Sequence, residues 1–326
     1  MSPRSHPPSS GDVVVRADGL VKDYRAGTPG RVRARVRALD GLDLEVSRGE
    51  VFGFLGPNGA GKSTTIRILL DQLRPTAGHA EVLGMTPRAG GAGLRTRIGS
   101  LPGELTMSGR ATAGELLAHL ARLRAGAGAA RIGPLAERLD LDLTRPIRGL
   151  SKGNKQKVGV IQAFMHEPEL LILDEPTSGL DPLLQHEFLT MVREVQAAGG
   201  TVFLSSHVLS EVELIADRVA IVRQGRIVDL DDVATLRHHA GQRIELVFAE
   251  DVEVAPFTGL PGFEDVEVVG RTVRGLLHGE PDALLKAAAR FRVVRWSAED
   301  RELEDLFLDH YRIVDPSPQE VAIHDR

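Results

Sequence analysis

Nine consecutive residues, Gly56-Pro-Asn-Gly-Ala-Gly-Lys-Ser-Thr64, fit G-x-x-x-x-G-K-[ST], with Gly56, Gly61, Lys62 and Ser63 at the fixed places. The glycines let the backbone curl with its N–H groups inward, a nest for phosphate oxygens. Gly56, Pro57, Asn58, Gly59, Ala60, Gly61, Lys62, Ser63 and Thr64 are therefore candidate nucleotide-binding residues. Lys62 has the reach and charge for the β- and γ-phosphates, and the Ser63 hydroxyl suits Mg²⁺. Glu169-Leu-Leu-Ile-Leu-Asp-Glu-Pro176 is an apolar run ending in two carboxylates. Asp174 is the expected second Mg²⁺ holder, and Glu175 the group that accepts a proton from water attacking the γ-phosphate. His207 ends the next apolar run, Thr201–Ser206, and is expected to contact the γ-phosphate.

These residues need strands and helices to bring them together. Val51–Leu55 reads as a buried parallel strand. Ile66, Leu69, Leu70 and Leu73 then mark one face of a helix. That helix would start at the phosphates, where free N–H groups and the dipole favour an anion. If the runs at 51–55, 170–174 and 201–206 are parallel, their carboxyl ends share the edge where ligands bind. Ala111–Ala125 and Pro134–Leu143 are helical by pattern, with Leu116, Leu117, Leu120 and Leu123 as expected core. Leu150–Gln156 opens a further helix, and another covers about Leu183–Ala198. Val13–Val21 and Arg31–Val46 alternate like antiparallel strands around Ala26–Gly30. Arg218–Val222 and Arg226–Val228 read as a hairpin. The four arginines of Arg31–Arg37 share a strand face, which suits either a solvated edge or a phosphate- or lipid-facing strip. Tyr24, ahead of that hairpin turn, is either a base-stacking aromatic or a surface residue.

Composition narrows the class. The chain has 326 residues, 42% of them hydrophobic, and a net charge of −5, so no basic field points to nucleic acid. It has no cysteine, which excludes disulfides and thiolate metal sites. No apolar stretch approaches the length of a spanning helix. Residues 1–11 read as a flexible leader and 315–326 as a flexible tail. Composition shifts near Arg237, and strands at Arg243–Ala249, Val266–Val269, Thr272–Leu277 and Val293–Ser297 with a helix at Ala283–Arg290 read as a small α+β domain. Trp296 is expected in its core, and Glu302–Tyr311 reads as a final amphipathic helix. The expected domains are a nucleotide-binding domain at 12–240, with a helical subdomain at about 103–165, and an accessory domain at 241–314.

Taken together, Tyr24, the phosphate loop, Leu101–Glu104, Leu150–Gln156, Asp174-Glu175 and His207 resemble, in content and order, the ATP-binding subunit of an ABC transporter over roughly Val13–Val228. The resemblance implies an α/β P-loop NTPase core of ABC type with an antiparallel β subdomain and a helical subdomain. It implies ATP and Mg²⁺ as ligands and Tyr24 against the base. It further implies a second copy whose Ser151, Lys152, Gly153 and Asn154 close over the γ-phosphate, with Asp181 at the interface between copies. The implied partner is a separate multi-span permease, with the chain peripheral on the cytoplasmic membrane face. The region after Arg237, ending in Leu303-Glu-Asp-Leu-Phe307, resembles the drug-export type of these ATPases.

Two departures stand out. The family's L-S-G-G-Q reads Leu-Ser-Lys-Gly-Asn here, so Lys152 and Asn154 replace Gly and Gln. Where the family has a Mg²⁺-ligating glutamine after Leu-Pro, this chain has Gly103. Glu104, next to it, is either the substitute ligand or a contact for the permease. The rival readings are a soluble ABC ATPase outside transport and a slowly hydrolysing ATP-dependent switch.

Overall fold

The computed structural model describes residues 13–26 and 34–301, and the chain divides into two compact units between Leu230 and Asp231. In the first unit, β1 (Val13–Ala26) and β2 (Ala34–Ser47) pair antiparallel. Next come β3 (Val51–Leu55), α1 (Lys62–Leu69) and β4 (Ala77–Val82), which joins the other edge of β1 in a three-stranded sheet, β2-β1-β4. Tyr24 lies within β1, opposite Val36, rather than ahead of the strand pair. Helix α1 is shorter than its apolar spacing suggests. It stops because Asp71 takes a left-handed backbone (φ 55°), which folds Leu70 and Leu73 back onto the core. The glycine-rich stretch that follows conceals α2 (Pro87–Thr96) and β5 (Ile98–Leu101).

The helical region comprises α3 (Ala113–Leu123), α4 (Ile132–Arg138) and α5 (Lys152–Phe164). Thr112 and Glu115 start α3 by capping each other's backbone N–H. Its buried stripe is Ala113, Leu117 and Ala121, so Leu123, half a turn further round, is 69% exposed and not core. Then follow β6 (Leu170–Asp174), α6 (Pro182–Ala197), β7 (Thr201–Ser206), α7 (Leu209–Ile215), β8 (Arg218–Arg223) and β9 (Arg226–Asp232).

The central sheet runs β5-β6-β7-β3-β8-β9, with parallel pairing from β5 through β8. Every residue of β3, β6 and β7 is buried. Phe203 packs on Phe52 and Phe54 with ring centroids 5.8 and 5.2 Å apart. Burying such side chains contributes roughly 1.5–3 kcal/mol each, well above the ~0–1 kcal/mol of an exposed ion pair. Apolar burial therefore holds this sheet, and its parallel order puts the ends of β3, β6 and β7 on one edge.

The second unit begins ten residues before the expected boundary. Asp232 caps α8 (Val233–Ala240), and from Asp231 the chain belongs to the second unit, so the helix does not close the first. The strands β10 (Gln242–Phe248), β11 (Phe263–Val269), β12 (Thr272–Leu277) and β13 (Val293–Asp300) form an antiparallel sheet in the order β11-β12-β10-β13. Helix α9 (Asp282–Ala288) precedes β13. Its core includes Leu246, Phe248, Phe257, Phe263 and Leu284. Trp296 is not part of it: it lies on the edge strand β13 and is 36% exposed. The expected leader, final helix, Leu303–Phe307 ending and tail lie outside the described residues, as do Arg31 and Arg33.

Candidate functional site

The phosphate loop joins β3 to α1. Gly61 has φ 115°, and a Cβ there would come within 2.8 Å of the Ala38 carbonyl oxygen, so only glycine fits the turn that launches α1. Lys62 is 5% exposed. Its Nζ donates to the carbonyls of Gly56 (2.5 Å) and Pro57 (3.4 Å) and pairs with Glu175 Oε1 at 3.2 Å. The loop opens on a cavity of about 340 Å³ lined by Val36, Arg37 and Ala38 of β2, by Pro57 to Thr64 without Ala60, and by Glu175.

The β6 and β7 ends meet the loop there. Asp174 is 5% exposed, and Ser205 Oγ donates to its Oδ1 at 2.5 Å. Glu175 takes a left-handed backbone (φ 49°), which turns the chain away from the strand. Its Oε2 lies 2.6 Å from His207 Nδ1. An ionised carboxylate only accepts, so Nδ1 carries the proton in this contact. Lys62, Glu175 and His207, each expected from sequence near the γ-phosphate, form one connected cluster. Ser63 and Asp174 offer a hydroxyl and a buried carboxylate, hard oxygen donors that fit Mg²⁺ when phosphate oxygens and water complete the shell.

Gly103 approaches Asp174. A Cβ on it would sit 3.2 Å from Oδ2 and 3.3 Å from Cγ. Glu104, by contrast, is exposed. The residue facing the carboxylate is therefore the one without a side chain.

Tyr24 is close to the loop: its hydroxyl is 3.3 Å from Thr64 Oγ1, and Lys22 Nζ lies 5.5 Å above its ring. Arg37 binds Asp23 at 3.0 Å and Asp40 at 2.9 Å. Its hydrogen bond holds Asp23 below the usual carboxylate range, and Arg226 and Arg37 do the same for Asp40.

Ser151, Lys152, Gly153, Asn154 and Asp181 are absent from the lining of the phosphate cavity. Ser151 caps α5, its Oγ accepting from Asn154 N at 3.2 Å. Asp181 caps α6 through Leu183 N and Leu184 N, both at 3.1 Å. These two ends adjoin: a Cβ on Gly153 would lie 2.7 Å from the Gly179 carbonyl oxygen, and the Lys152 stem passes over Gly179.

Sequence reasoning missed three groups. Val36 and Ala38 line the cavity beside Arg37, the one described arginine of the expected strip that does so, which only strand pairing reveals. Ser205 orients Asp174. Gln156, buried in α5, donates to the Pro176 carbonyl at 2.8 Å and the Glu175 carbonyl at 3.4 Å, tying the helical region to the proposed base.

Residues 39–178 match the family described as ABC transporter. An uncharacterized ABC transporter ATP-binding protein of Nostoc sp. is 40% identical over 66% of this chain and 65% of its own length, just under two thirds. The daunorubicin resistance ATP-binding protein DrrA3 of Streptomyces coeruleorubidus is 37% identical over 76% of this chain and 80% of its own. A solved ATP-binding subunit of an ABC transporter is 30% identical, covers 69% of this chain and 92% of its own, and superposes with a TM-score of 0.61. The chain belongs to the ABC transporter family and is one of its ATP-binding, ATP-hydrolysing subunits.

Proposed function

We propose that two copies of this chain close over two Mg·ATP and that closure drives a separate membrane permease exporting drug-like or lipophilic compounds. The observation that carries the two-copy reading is the split site. Lys62, Glu175 and His207 form one cluster, while Ser151 and Asp181 cap helices off the phosphate cavity. The α5 start, where Ser151 and Lys152 are exposed, suits an anion brought by the second copy. None of the described helices is long and apolar enough to cross a membrane. The peripheral place on the cytoplasmic face, through a partner chain, rests on the family likeness. Export of a drug-like cargo follows the likeness to the daunorubicin resistance protein.

In this mechanism Lys62 exchanges Glu175 for the γ-phosphate, whose multiple charges outcompete one carboxylate. Ser63 and Asp174 would hold Mg²⁺, which when bound would supply charge neutralisation for the phosphate oxygens. Freed from Lys62 but still held by His207, Glu175 accepts the proton of the attacking water as the bond from the γ-phosphorus to ADP breaks. Tyr24 reaches Thr64 and Val36 lines the cavity, which supports a base seated on that side of the loop.

The test is Glu175→Gln in the full chain. It keeps the shape but removes both the base and the charge that competes for Lys62. Turnover is expected to fall ~10²-fold or more while an ATP-bound dimer accumulates by size exclusion. Retained turnover, or a monomer at saturating ATP, refutes the mechanism. A slowly hydrolysing switch is the second reading, favoured by the glycine at position 103. Low turnover in the presence of the permease would select it.

A further inference from the structure

The ends of β6 and β7 are joined by three successive side-chain contacts. Ser205 Oγ donates to Asp174 Oδ1, and His207 Nδ1 meets Glu175 Oε2. In the third, the Thr177 hydroxyl donates to Glu211 Oε2 at 2.6 Å. The first two belong to the site already described. Glu211, in the first turn of α7, four residues after His207, has been given no role.

The structure assigns Glu211 as a positioning residue: through Thr177 it holds the turn carrying the Glu175 carboxylate in register with His207. The inference rests on the reading of Glu175 as the base and deepens it.

The argument starts from strain. Glu175 is a non-glycine residue at φ 49°, a conformation costing roughly 1–3 kcal/mol that persists only where its surroundings over-determine it. Its amide is held by the Ser205 carbonyl at 3.1 Å. Its carbonyl accepts from Gln156 and from Ser178 N. Past Pro176, Thr177 is the next residue whose side chain can pin the turn, and it is buried. From there the chain leads through Leu180, whose N–H binds the Thr177 carbonyl at 3.0 Å, to Asp181 at the start of α6. The Thr177–Glu211 bond thus fixes the exit of the strained turn to the helix that His207 leads into. Without it, the turn could relax toward ordinary backbone angles and carry Glu175 away from His207.

The chemistry of Glu211 fits a brace rather than a second base. Burial pushes its carboxyl above the usual range, the Glu175 charge adds to that, and the Thr177 hydrogen bond opposes it. A half-buried carboxylate beside another carboxylate is electrostatically costly, so its retention there needs the hydrogen bond it makes. It does not line the phosphate cavity. Its hydrogen bond to the turn runs through Thr177.

The experiment compares Glu211→Ala, Glu211→Gln, Thr177→Val, Thr177→Ser and the double variant Glu211→Ala/Thr177→Val in the full chain. It reads kcat and KM for ATP, nucleotide affinity and Tm. Glu211→Ala and Thr177→Val should each lower kcat about 10-fold with KM and nucleotide affinity within about 2-fold. Glu211→Gln keeps an acceptor and Thr177→Ser a hydroxyl, so both should keep at least half of wild-type kcat. The double variant should be no worse than either single one, because both remove the same bond. Full activity in Glu211→Ala, additive losses in the double variant, or a Glu211→Gln as impaired as Glu211→Ala would each overturn the brace. If Glu211→Ala fails to fold, the Thr177 pair and Glu211→Gln decide the question. Full activity in Glu175→Gln would instead overturn the underlying reading of the base, a separate outcome.

Discussion

Replacing Gly103 with glutamine supplies, on paper, the metal ligand that the family resemblance leads one to expect after Leu101-Pro102. The structure says it should do harm. A Cβ at position 103 would lie 3.2 Å from Asp174 Oδ2 and 3.5 Å from the Asp174 carbonyl oxygen, so the neighbour must yield by a few tenths of an ångström. Asp174 is poorly able to yield. It ends β6 and is buried, Ser205 holds its other oxygen, and Glu175 beyond it is already in a left-handed backbone. Overpacking of this kind costs about 1–3 kcal/mol. At the lower end, in a unit of this size, that lowers Tm by roughly 2–4 °C. Any part expressed as displacement of the carboxylate weakens Mg²⁺, and about 1.4 kcal/mol is a factor of ten in affinity. The expected result for Gly103→Gln is a lower Tm and a Mg²⁺ half-saturation for ATPase activity raised about 5- to 10-fold. Gly103→Ala should do nearly the same, because the first carbon makes the clash. Glu104→Ala is the companion: with Glu104 exposed, the Mg²⁺ half-saturation should stay put and any loss should appear in permease-stimulated turnover. Magnesium titrations of the purified chain and thermal melts provide the assay. A tighter Mg²⁺ requirement or faster turnover in Gly103→Gln would show that the loop re-forms around the new ligand and would refute this reasoning.

Gly153→Ala brings a Cβ within 2.7 Å of the Gly179 carbonyl oxygen, so the start of α5 must shift from the Ser178–Asp181 turn. ATP-driven dimerisation should fall at least ~10-fold while one chain's nucleotide affinity holds, since only overpacking at the proposed interface changes. Equal dimerisation by light scattering would contradict this. Glu50 offers a pH test: burial raises its carboxyl pKa, with Ser47 N and Arg218 opposing. A carboxyl raised in the folded state is destabilising when charged, so wild-type stability at this site falls as pH rises through the folded value. Melts from pH 4 to 7 should therefore show Glu50→Gln gaining on the wild type with rising pH, and the opposite slope would refute the sign. Removing residues 241–326 should leave ATP affinity within about 2-fold, because every site residue lies upstream. Isothermal titration of the truncated chain checks it, provided its melt stays cooperative.

Much of the site was legible because phosphate chemistry constrains local sequence. A nest needs glycines at fixed spacing, a helix must start at the anion, and an apolar strand must deliver its acid at a sheet edge. Those demands are satisfied within a few residues, so Lys62, Ser63, Asp174, Glu175 and His207 could be read from the chain and are found where the parallel order of β3, β6 and β7 puts them. Other features depended on residues far apart in sequence. Val36 beside Tyr24, Ser205 beneath Asp174, Gln156 behind Glu175 and Glu211 on Thr177 have no local pattern, because each contact is created by strand register or helix packing. Helix ends also escaped: Leu70 and Leu73 kept helical spacing, but one left-handed residue, Asp71, ended α1 first. Leu123 and Trp296 were misplaced because side-chain type reports hydrophobicity, whereas burial depends on which face a neighbouring element covers. The position of Gly103 shows both limits at once. Sequence revealed that a side chain was missing, and only the packing of its backbone against Asp174 shows that one would press on that carboxylate.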